Sequence, residues 1–128
     1  MHGIGVDIVR ISRIREAVQR WGDRFLERVF TEQERKYCFK KVNPYPSLAA
    51  RFAAKEAFIK AVSTTEVISL REIETVNDSS GAPVLRLHGK AESILGMIST
   101  NKEVHLSLSH DGDYAVAFVV IEKRDPLC

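Results

Sequence analysis

Two acidic residues, Asp7 and Glu56, stand inside segments that are otherwise apolar or built from small residues. Asp7 belongs to GIGVDIVRI (3–11), a pattern typical of a buried strand, and Glu56 belongs to RFAAKEAFIKA (51–61), a helical pattern. Isolated carboxylates suit Mg²⁺, which uses one or two of them and completes its octahedron with water and substrate phosphates. The helix also carries three cations that would neutralise phosphates: Arg51, Lys55 and Lys60.

The segment HLSLSH (105–110) places polar side chains on one face of a predicted strand. His105, Ser107 and Ser109 alternate with leucines, so they would form a wall lined by ligand or water. His110 follows at the strand end, where it could turn toward that wall. A serine hydrolase is rejected, because the pattern has neither a third triad member nor an oxyanion elbow.

Arginines crowd the first quarter of the chain, and four of them form a candidate docking patch: Arg13, Arg20, Arg24 and Arg28. Guanidinium groups match carboxylates and phosphates in geometry, so the patch could dock an acidic partner. A solvated basic face is the simpler alternative.

The elements that must position these residues follow from turn and capping signals. We predict strands near 2–9, 67–77, 84–88, 104–109 and 114–122, with helices over 12–21, 31–40, 47–62 and 90–99. Ser12 would cap the first helix and Ser47 the third, and Thr31 and Glu34 would form a capping box at the start of the second. A turn through 23–29 follows Gly22, and His110–Asp113 is a hairpin turn. The fold class is therefore α+β, with an antiparallel sheet and a long helix packed on two sides.

Bulk properties narrow the function classes. The 128 residues predict one domain (1–128), and a formal net charge of +2 does not by itself favour nucleic acid. No apolar run approaches the roughly 20 residues that span a bilayer, and neither Cys38 nor Cys128 has metal-ligand spacing. No signal peptide is recognisable, so we expect a soluble cytoplasmic protein without membrane or nucleic-acid partners.

Three blocks together resemble the signature blocks of the holo-[acyl-carrier-protein] synthases, of the 4′-phosphopantetheinyl transferase superfamily. They are GIGVDIVRISRI (3–14), RFAAKEAFIKA (51–61) and VHLSLSHDGDYAVAFVV (104–120), in the family's order and spacing. The resemblance implies transfer of the phosphopantetheine arm of coenzyme A to a serine of apo acyl carrier protein, with release of adenosine 3′,5′-bisphosphate. It places the protein in fatty acid biosynthesis. The single copy of the blocks resembles the short type, a homotrimer with active sites between subunits.

The resemblance also implies residue roles. Asp7 and Glu56 would hold Mg²⁺ on the coenzyme A pyrophosphate, and Lys60 would stabilise transition-state charge. The coenzyme A site would be lined by Arg51, Lys55, Lys60, Ser109 and His110. The carrier would be docked by Arg13, Arg20, Arg24 and Arg28. The serine proton of this reaction needs an acceptor, for which we favour Glu56, directly or through a metal-bound water. The trimer would account for the alanine face of the long helix and for the polar strand wall.

Several alternatives stay open from the residues alone. Side chains of the first strand alternate between two faces, with Ile4, Val6 and Ile8 on the core face and Gly3, Gly5 and Asp7 on the other. Gly3 and Gly5 would clear space for a pyrophosphate or a neighbouring subunit, or simply for a crossing strand or helix. Glu56 and Lys60 could form an ordinary i, i+4 salt bridge. For the whole chain, the rivals are a Mg²⁺-dependent nucleotide hydrolase and a non-enzymatic basic domain that binds nucleic acid, although Trp21 alone offers little stacking surface.

Overall fold

A computed structural model describes residues 2–98 and 102–123. Cys128, and Ser99 at the end of the fourth predicted helix, lie outside the described residues. The helices are α1 (Ile11–Trp21), α2 (Asp23–Val29), α3 (Glu32–Phe39), α4 (Tyr45–Val62) and α5 (Gly89–Ile98). The strands are β1 (Gly3–Arg10), β2 (Ile73–Asn77), β3 (Pro83–Leu87), β4 (Lys102–Asp111) and β5 (Tyr114–Lys123), and a 3₁₀ turn covers Leu70–Glu72.

The described strands form two antiparallel sheets, so the predicted α+β class is confirmed. The larger sheet has the order β1-β5-β4, with Asp7 opposite Ala117 and Leu108 opposite the same alanine. The smaller sheet pairs β2 with β3. The predicted hairpin joins β4 to β5 through a turn at Gly112, which adopts a positive φ of 58°.

Helix α4 covers one face of the larger sheet and forms the centre of the core. Its alanines at 53, 54, 57 and 61 are buried and face β1 and β5, which supply the buried Ala115, Ala117, Val119 and Ile121. Gly3 and Gly5 lie so close to α4 that a Cβ on either would overlap the carbonyl oxygen of Ala61 or Ala57. The glycines therefore admit the chain's own helix, the simplest of the alternatives for this strand.

This packing corrects two expectations. Ile4, Val6 and Ile8, expected in the core, lie on the uncovered face and are 50, 48 and 64% exposed. The alanine face of α4 is filled by the chain's own sheet, so it needs no neighbouring subunit to explain it. We call the uncovered side of the β1-β5-β4 sheet the open sheet face.

Helix boundaries differ from the prediction where a cap comes from far away in sequence. α1 begins at Ile11, so Ser12 is not its N-cap. Instead Asp113 accepts from the Ser12 amide (2.9 Å) and the Ser12 hydroxyl (2.6 Å). Residues 23–29, expected as a turn, form the short helix α2, and α4 begins at Tyr45 rather than after Ser47. The capping box at Thr31 and Glu34 is confirmed.

Candidate active site

The first site cluster forms where β1 lies across the second half of α4. Asp7 points to the helix side of the sheet, and Lys60 reaches it from the last turn of α4. The Lys60 Nζ donates to Asp7 Oδ1 at 3.1 Å and to the Val6 carbonyl at 3.0 Å. Because Asp7 is mostly shielded while Lys60 is 55% exposed, the cluster opens to solvent on the lysine side.

Glu56 completes this cluster one helical turn before Lys60. Partial burial raises the pKa of Glu56, and the negative charge of Asp7 raises it further, while Lys60 opposes both effects. The i, i+4 salt bridge expected as the simple alternative is replaced by the reach of Lys60 across to β1. Asp7, Glu56 and Lys60 are thus brought together, as the sequence predicted.

The donor set of this cluster fits a magnesium ion. The negative charge of Asp7 is one cause of the raised pKa of Glu56, and a divalent cation between the two carboxylates would relieve that repulsion. Both side chains offer oxygen ligands only, which are the ligands Mg²⁺ prefers, and two protein carboxylates leave positions for substrate phosphate. Asp7 and Glu56 can therefore hold Mg²⁺, with Lys60 beside them to meet a phosphate.

Lys55 lies elsewhere and conflicts with its expected role in binding coenzyme A. It is fully buried, and its ammonium donates to Glu34 Oε1 (2.7 Å), the Ile73 carbonyl (2.7 Å) and the Leu70 carbonyl (2.9 Å). Burial lowers the pKa of Lys55, and the Glu34 carboxylate opposes that shift. An ammonium group has three donors, and all three are used within the chain, so none remains for a phosphate.

Arg51 lies on the same side of α4 as Lys55, against α3 and β2. Its guanidinium stacks on the Tyr37 ring at 4.2 Å and donates to Asn77 Oδ1 at 3.3 Å. The Arg51 Nε is buried, and it has no hydrogen-bond partner among residues 2–98 and 102–123. An adjoining groove of about 430 Å³ is lined by Tyr37, Asn77 and three cations, Lys36, Lys40 and Arg86. The cations make this groove suitable for an anion. Asp7 does not line the groove, so the coenzyme A contact of Arg51 stays a prediction.

Ser109 and His110 fall on opposite faces of the sheet. In the register of the hairpin, Ser109 is opposite Val116, on the open sheet face, together with the exposed His105 and Ser107. His110 is opposite Ala115, on the helix side, which is also the side of Asp7. The shared polar face of His105, Ser107 and Ser109 is confirmed, and within one chain only His110, not Ser109, lies on the same face as the Asp7 cluster.

The arginine patch is exposed and partly built around aromatic rings. A groove of about 480 Å³ between the end of α1 and α2 is lined by Trp21, Arg24, Phe25 and Arg28. Arg20 joins it through a cation–π contact with Trp21 at 5.0 Å. Arg13 is exposed on α1 and does not line the groove. The groove combines two guanidinium groups with an apolar floor.

Three residues with a part in the site escaped the sequence reasoning. The sequence pattern predicts only a capping-box role for Glu34, but its carboxylate also accepts from Lys55 and the Thr75 amide. The pattern predicts only a turn position for Asp113, but this residue also fixes the start of α1. Tyr37 supports Arg51. An Asp directly before a strand is a usual turn signal, so only its pairing with Ser12, 101 positions away, would have found the second role.

Comparisons with known proteins agree with this geometry. The sequence model of the 4′-phosphopantetheinyl transferase superfamily matches residues 3–119. Holo-[acyl-carrier-protein] synthases of Halothermothrix orenii and Chlamydia trachomatis serovar D are 47 and 48% identical to the chain. The alignments cover 96 and 95% of this chain and 98 and 100% of theirs.

Solved structures give the same result at the level of the fold. An ACPS–CoA complex of Chronobacterium ammoniagenes superposes with a TM-score of 0.83 at 35% identity, over 96% of this chain and 98% of that one. The match extends over almost the whole length of both chains and includes β1, α4 and the β4–β5 hairpin that carry the site. The chain therefore belongs to the 4′-phosphopantetheinyl transferase superfamily, within the holo-[acyl-carrier-protein] synthases.

Proposed function

We propose that this chain transfers the 4′-phosphopantetheine arm of coenzyme A to a serine hydroxyl of apo acyl carrier protein. The products are holo acyl carrier protein and adenosine 3′,5′-bisphosphate. The observation that carries the proposal is the meeting of Asp7, Glu56 and Lys60 at the crossing of β1 and α4, in a chain whose relatives are named for this reaction. We extend it to a single transferase domain (1–128) in the cytoplasm that serves fatty acid biosynthesis.

The metal is part of the proposal. Asp7 and Glu56 would hold Mg²⁺, which when bound supplies positive charge to the coenzyme A pyrophosphate and its leaving group. Lys60, held in place by Asp7 and the Val6 carbonyl, would neutralise charge on the transferred phosphoryl group. Glu56 is the candidate acceptor for the serine proton, since its carboxylate lies near the Lys60 ammonium group that would meet the phosphoryl group. Phosphoryl transfer asks the protein mainly for such positioning and charge neutralisation.

Carrier docking is assigned to the arginine patch. Arg24 and Arg28 flank the apolar floor of Trp21 and Phe25, which suits an amphipathic segment with acidic edges and an apolar centre. Arg20 adjoins the groove, and Arg13 extends the positive surface along α1. A basic patch would also suit the alternative function, a non-enzymatic domain that binds nucleic acid. That function, however, does not require the Asp7–Glu56 pair.

Assembly into a homotrimer is also proposed, and the open sheet face supports it. This face exposes a continuous apolar surface formed by Ile4, Val6, Ile8 and Phe118, which are 42–64% exposed. Monomeric proteins rarely expose an apolar patch of this kind. Ser109 lies on that face while Glu56 lies on the other side of the sheet. One ligand could contact both kinds of residue if a neighbour supplied its open sheet face, so an active site between subunits is consistent with this geometry.

The decisive experiment is an assay of the carrier itself. The protein is incubated with coenzyme A, Mg²⁺ and an apo carrier, and the carrier is weighed by mass spectrometry. We expect the mass of one phosphopantetheine arm to be added, and no such gain with several carriers would overturn the proposal. Consumption of the nucleotide without a carrier would favour the hydrolase instead.

Two variants test the roles within the site. Asp7→Asn should abolish transfer at every Mg²⁺ concentration with an unchanged circular dichroism spectrum, whereas Glu92→Gln, at an exposed acid on α5, should keep full activity. Arg24→Glu should raise KM for the carrier about tenfold or more and leave KM for coenzyme A unchanged. Arg71→Glu, an exposed arginine outside the patch, is its control. Equal losses for both substrates would argue against docking at the patch.

A further inference from the structure

Helix α1 has no cap of its own at its N-terminus. Its N-cap residue, Arg10, makes no side-chain hydrogen bond to the first turn, and that turn contains no acidic residue. The first amides of a helix have no partner within the helix, and a negative charge beside them is favourable. The start of α1, which carries Arg13 of the arginine patch, therefore depends on groups from elsewhere in the fold.

The missing cap comes from Asp113, in the turn of the β4–β5 hairpin. Its carbonyl accepts from the Ile11 amide at 2.7 Å, and its carboxylate accepts from the Ser12 amide at 2.9 Å and the Ser12 hydroxyl at 2.6 Å. The bond from the Ser12 hydroxyl lowers the pKa of Asp113, and the charges of Arg15 and Arg10 lower it further. The carboxylate is therefore ionised at neutral pH and gives α1 a charged cap.

A second contact holds the same place. Arg10, the last residue of β1, is opposite Tyr114 in the sheet, and its guanidinium lies over the Tyr114 ring at 6.0 Å from the centroid. Because β1 runs directly into α1, the end of the strand, the start of the helix and the hairpin turn meet at one point. We call this meeting point, formed by Arg10, Ile11, Ser12, Asp113 and Tyr114, the hairpin junction.

The hairpin junction sets the direction of α1 and thereby the place of the docking groove. The buried side chains of α1, Ile11 and Ile14, lie near its start, whereas Trp21 lines the groove at its end. With a rise of 1.5 Å per residue, the 11-residue helix is about 16 Å long. A small tilt at its start would therefore displace both Arg13 and the wall of the groove.

The other side of the hairpin junction leads to the proposed coenzyme A site. His110 lies on the same hairpin, on the side of the sheet that carries Asp7. The hairpin therefore supports both His110 and the start of the helix on which the carrier would dock. Group transfer depends strongly on such alignment, since a misplacement of about 1 Å can slow it greatly.

We propose that Asp113 is a positioning residue for the carrier, a role that rests on the proposed docking at the arginine patch. Asp113 does not line the groove and makes no hydrogen bond to the Asp7 cluster among the described residues. It acts through Ser12 and α1, by fixing the docking helix to the hairpin.

The test measures KM for the two substrates separately. Loss of a helix cap of ordinary strength predicts that Asp113→Ala raises KM for the carrier about fivefold, with KM for coenzyme A within about twofold of the wild type. Asp113→Asn keeps one acceptor oxygen and should recover part of the loss. Ser12→Ala should have a smaller effect and add nothing to Asp113→Ala, because its hydroxyl acts through the same carboxylate.

A matched control comes from the β2–β3 turn. Asp78 accepts from the Ser80 amide at 2.9 Å and the Ser80 hydroxyl at 2.6 Å, the same pair of bonds in a turn that does not cap α1. Asp78→Ala should lower Tm while KM for the carrier stays at the wild-type value. Circular dichroism checks that each variant is folded, as expected for changes at exposed positions.

The outcomes separate this role from the proposed function. If the wild type modifies the carrier but Asp113→Ala leaves KM for the carrier unchanged, or Asp78→Ala raises it equally, Asp113 has no positioning role. If the wild type modifies no carrier, the proposed function fails, and binding of the apo carrier is then followed by the fluorescence of Trp21, the single tryptophan. Carrier affinity that is absent, or that is unchanged in Asp113→Ala, would overturn the positioning role in that case too.

Discussion

The buried ion pair between Lys55 and Glu34 gives the strongest stability prediction, through the variant Glu34→Gln. The Glu34 carboxylate accepts from Lys55 Nζ (2.7 Å) and the Thr31 amide (3.0 Å) on one oxygen, and from the Thr75 amide (3.0 Å) on the other. A glutamine keeps one acceptor oxygen and replaces the other with an NH₂ group. Whichever way it is oriented, a donor then faces a donor, and the Lys55 charge loses its only carboxylate partner among these contacts.

The expected loss of stability in Glu34→Gln follows from the burial of both Glu34 and Lys55. Both side chains are 0% exposed, and removing one partner of a buried pair typically costs about 3–5 kcal/mol because the other charge stays buried without compensation. For a domain of this size, 1 kcal/mol corresponds to a change in Tm of roughly 3–5 °C, so Glu34→Gln should lower Tm by about 9–25 °C. Thermal and urea unfolding followed by circular dichroism would measure both quantities.

The same helix provides the control. Glu32 pairs with Lys36 at 3.2 Å, but both side chains are more than 60% exposed, so Glu32→Gln should change the free energy of unfolding by less than about 0.5 kcal/mol. Similar small losses for the two variants would refute a structural role for the Lys55–Glu34 pair.

A double variant separates structure from coenzyme A binding. Glu34→Met combined with Lys55→Met removes both charges, and apolar replacement of a buried pair often restores much of the stability lost in a single variant. If Lys55 is structural, the folded double variant keeps KM for coenzyme A near that of the wild type. A rise of tenfold or more would return Lys55 to the coenzyme A site.

The remaining predictions concern the strand–helix contact, the acidic pair and the cap of α1. Gly5→Ala should destabilise the protein by about 3 kcal/mol or more, because the new Cβ overlaps the Ala57 carbonyl; Gly96→Ala on α5 meets nothing within 4 Å and should be neutral or slightly stabilising in the same unfolding assay. Glu56→Gln should raise Tm of the metal-free protein at pH 7 and abolish transfer. The pKa of Glu56 is raised on folding, so its carboxylate costs stability as pH rises from the unfolded pKa through the folded one; a Tm difference that does not shrink below pH 4 would contradict this. Asp113→Ala should lower Tm and raise KM for the carrier more than KM for coenzyme A, because it releases the start of α1; matched KM changes would deny it that positioning role.

The sequence predicted correctly those features of the fold that depend on neighbouring residues along the chain. The alternation of β4, the capping box at Thr31 and the hairpin between β4 and β5 were confirmed, because each is set by neighbouring residues. Alternation in β1 correctly divided its side chains into two faces. A period of two does not say which face is buried, and apolar side chains made the wrong face look like the core.

The burial of that strand was decided by complementarity between distant segments. Gly3 and Gly5 form a flat surface, and Ala57 and Ala61 form a matching one on α4, so the two backbones meet directly. The partners of Lys55 and Ser12 were also beyond local reasoning. Glu34 is 21 positions from Lys55, and Asp113 is 101 positions from Ser12, so only the packed fold brings these charges together.

Gly3 and Gly5 leave the start of β1 without side chains on its inner face, and they also determine whether the proposed magnesium site can form. Because the β1 backbone lies directly against α4, the Val6 carbonyl and the Asp7 carboxylate come within reach of Lys60, one turn beyond Glu56. Any Cβ at Gly5 would move the strand away from the helix and separate the two carboxylates. The glycines contribute no ligand, yet they set the distance on which metal binding depends. A loss of Mg²⁺ affinity in Gly5→Ala that exceeds its loss of stability would be the sign of this coupling.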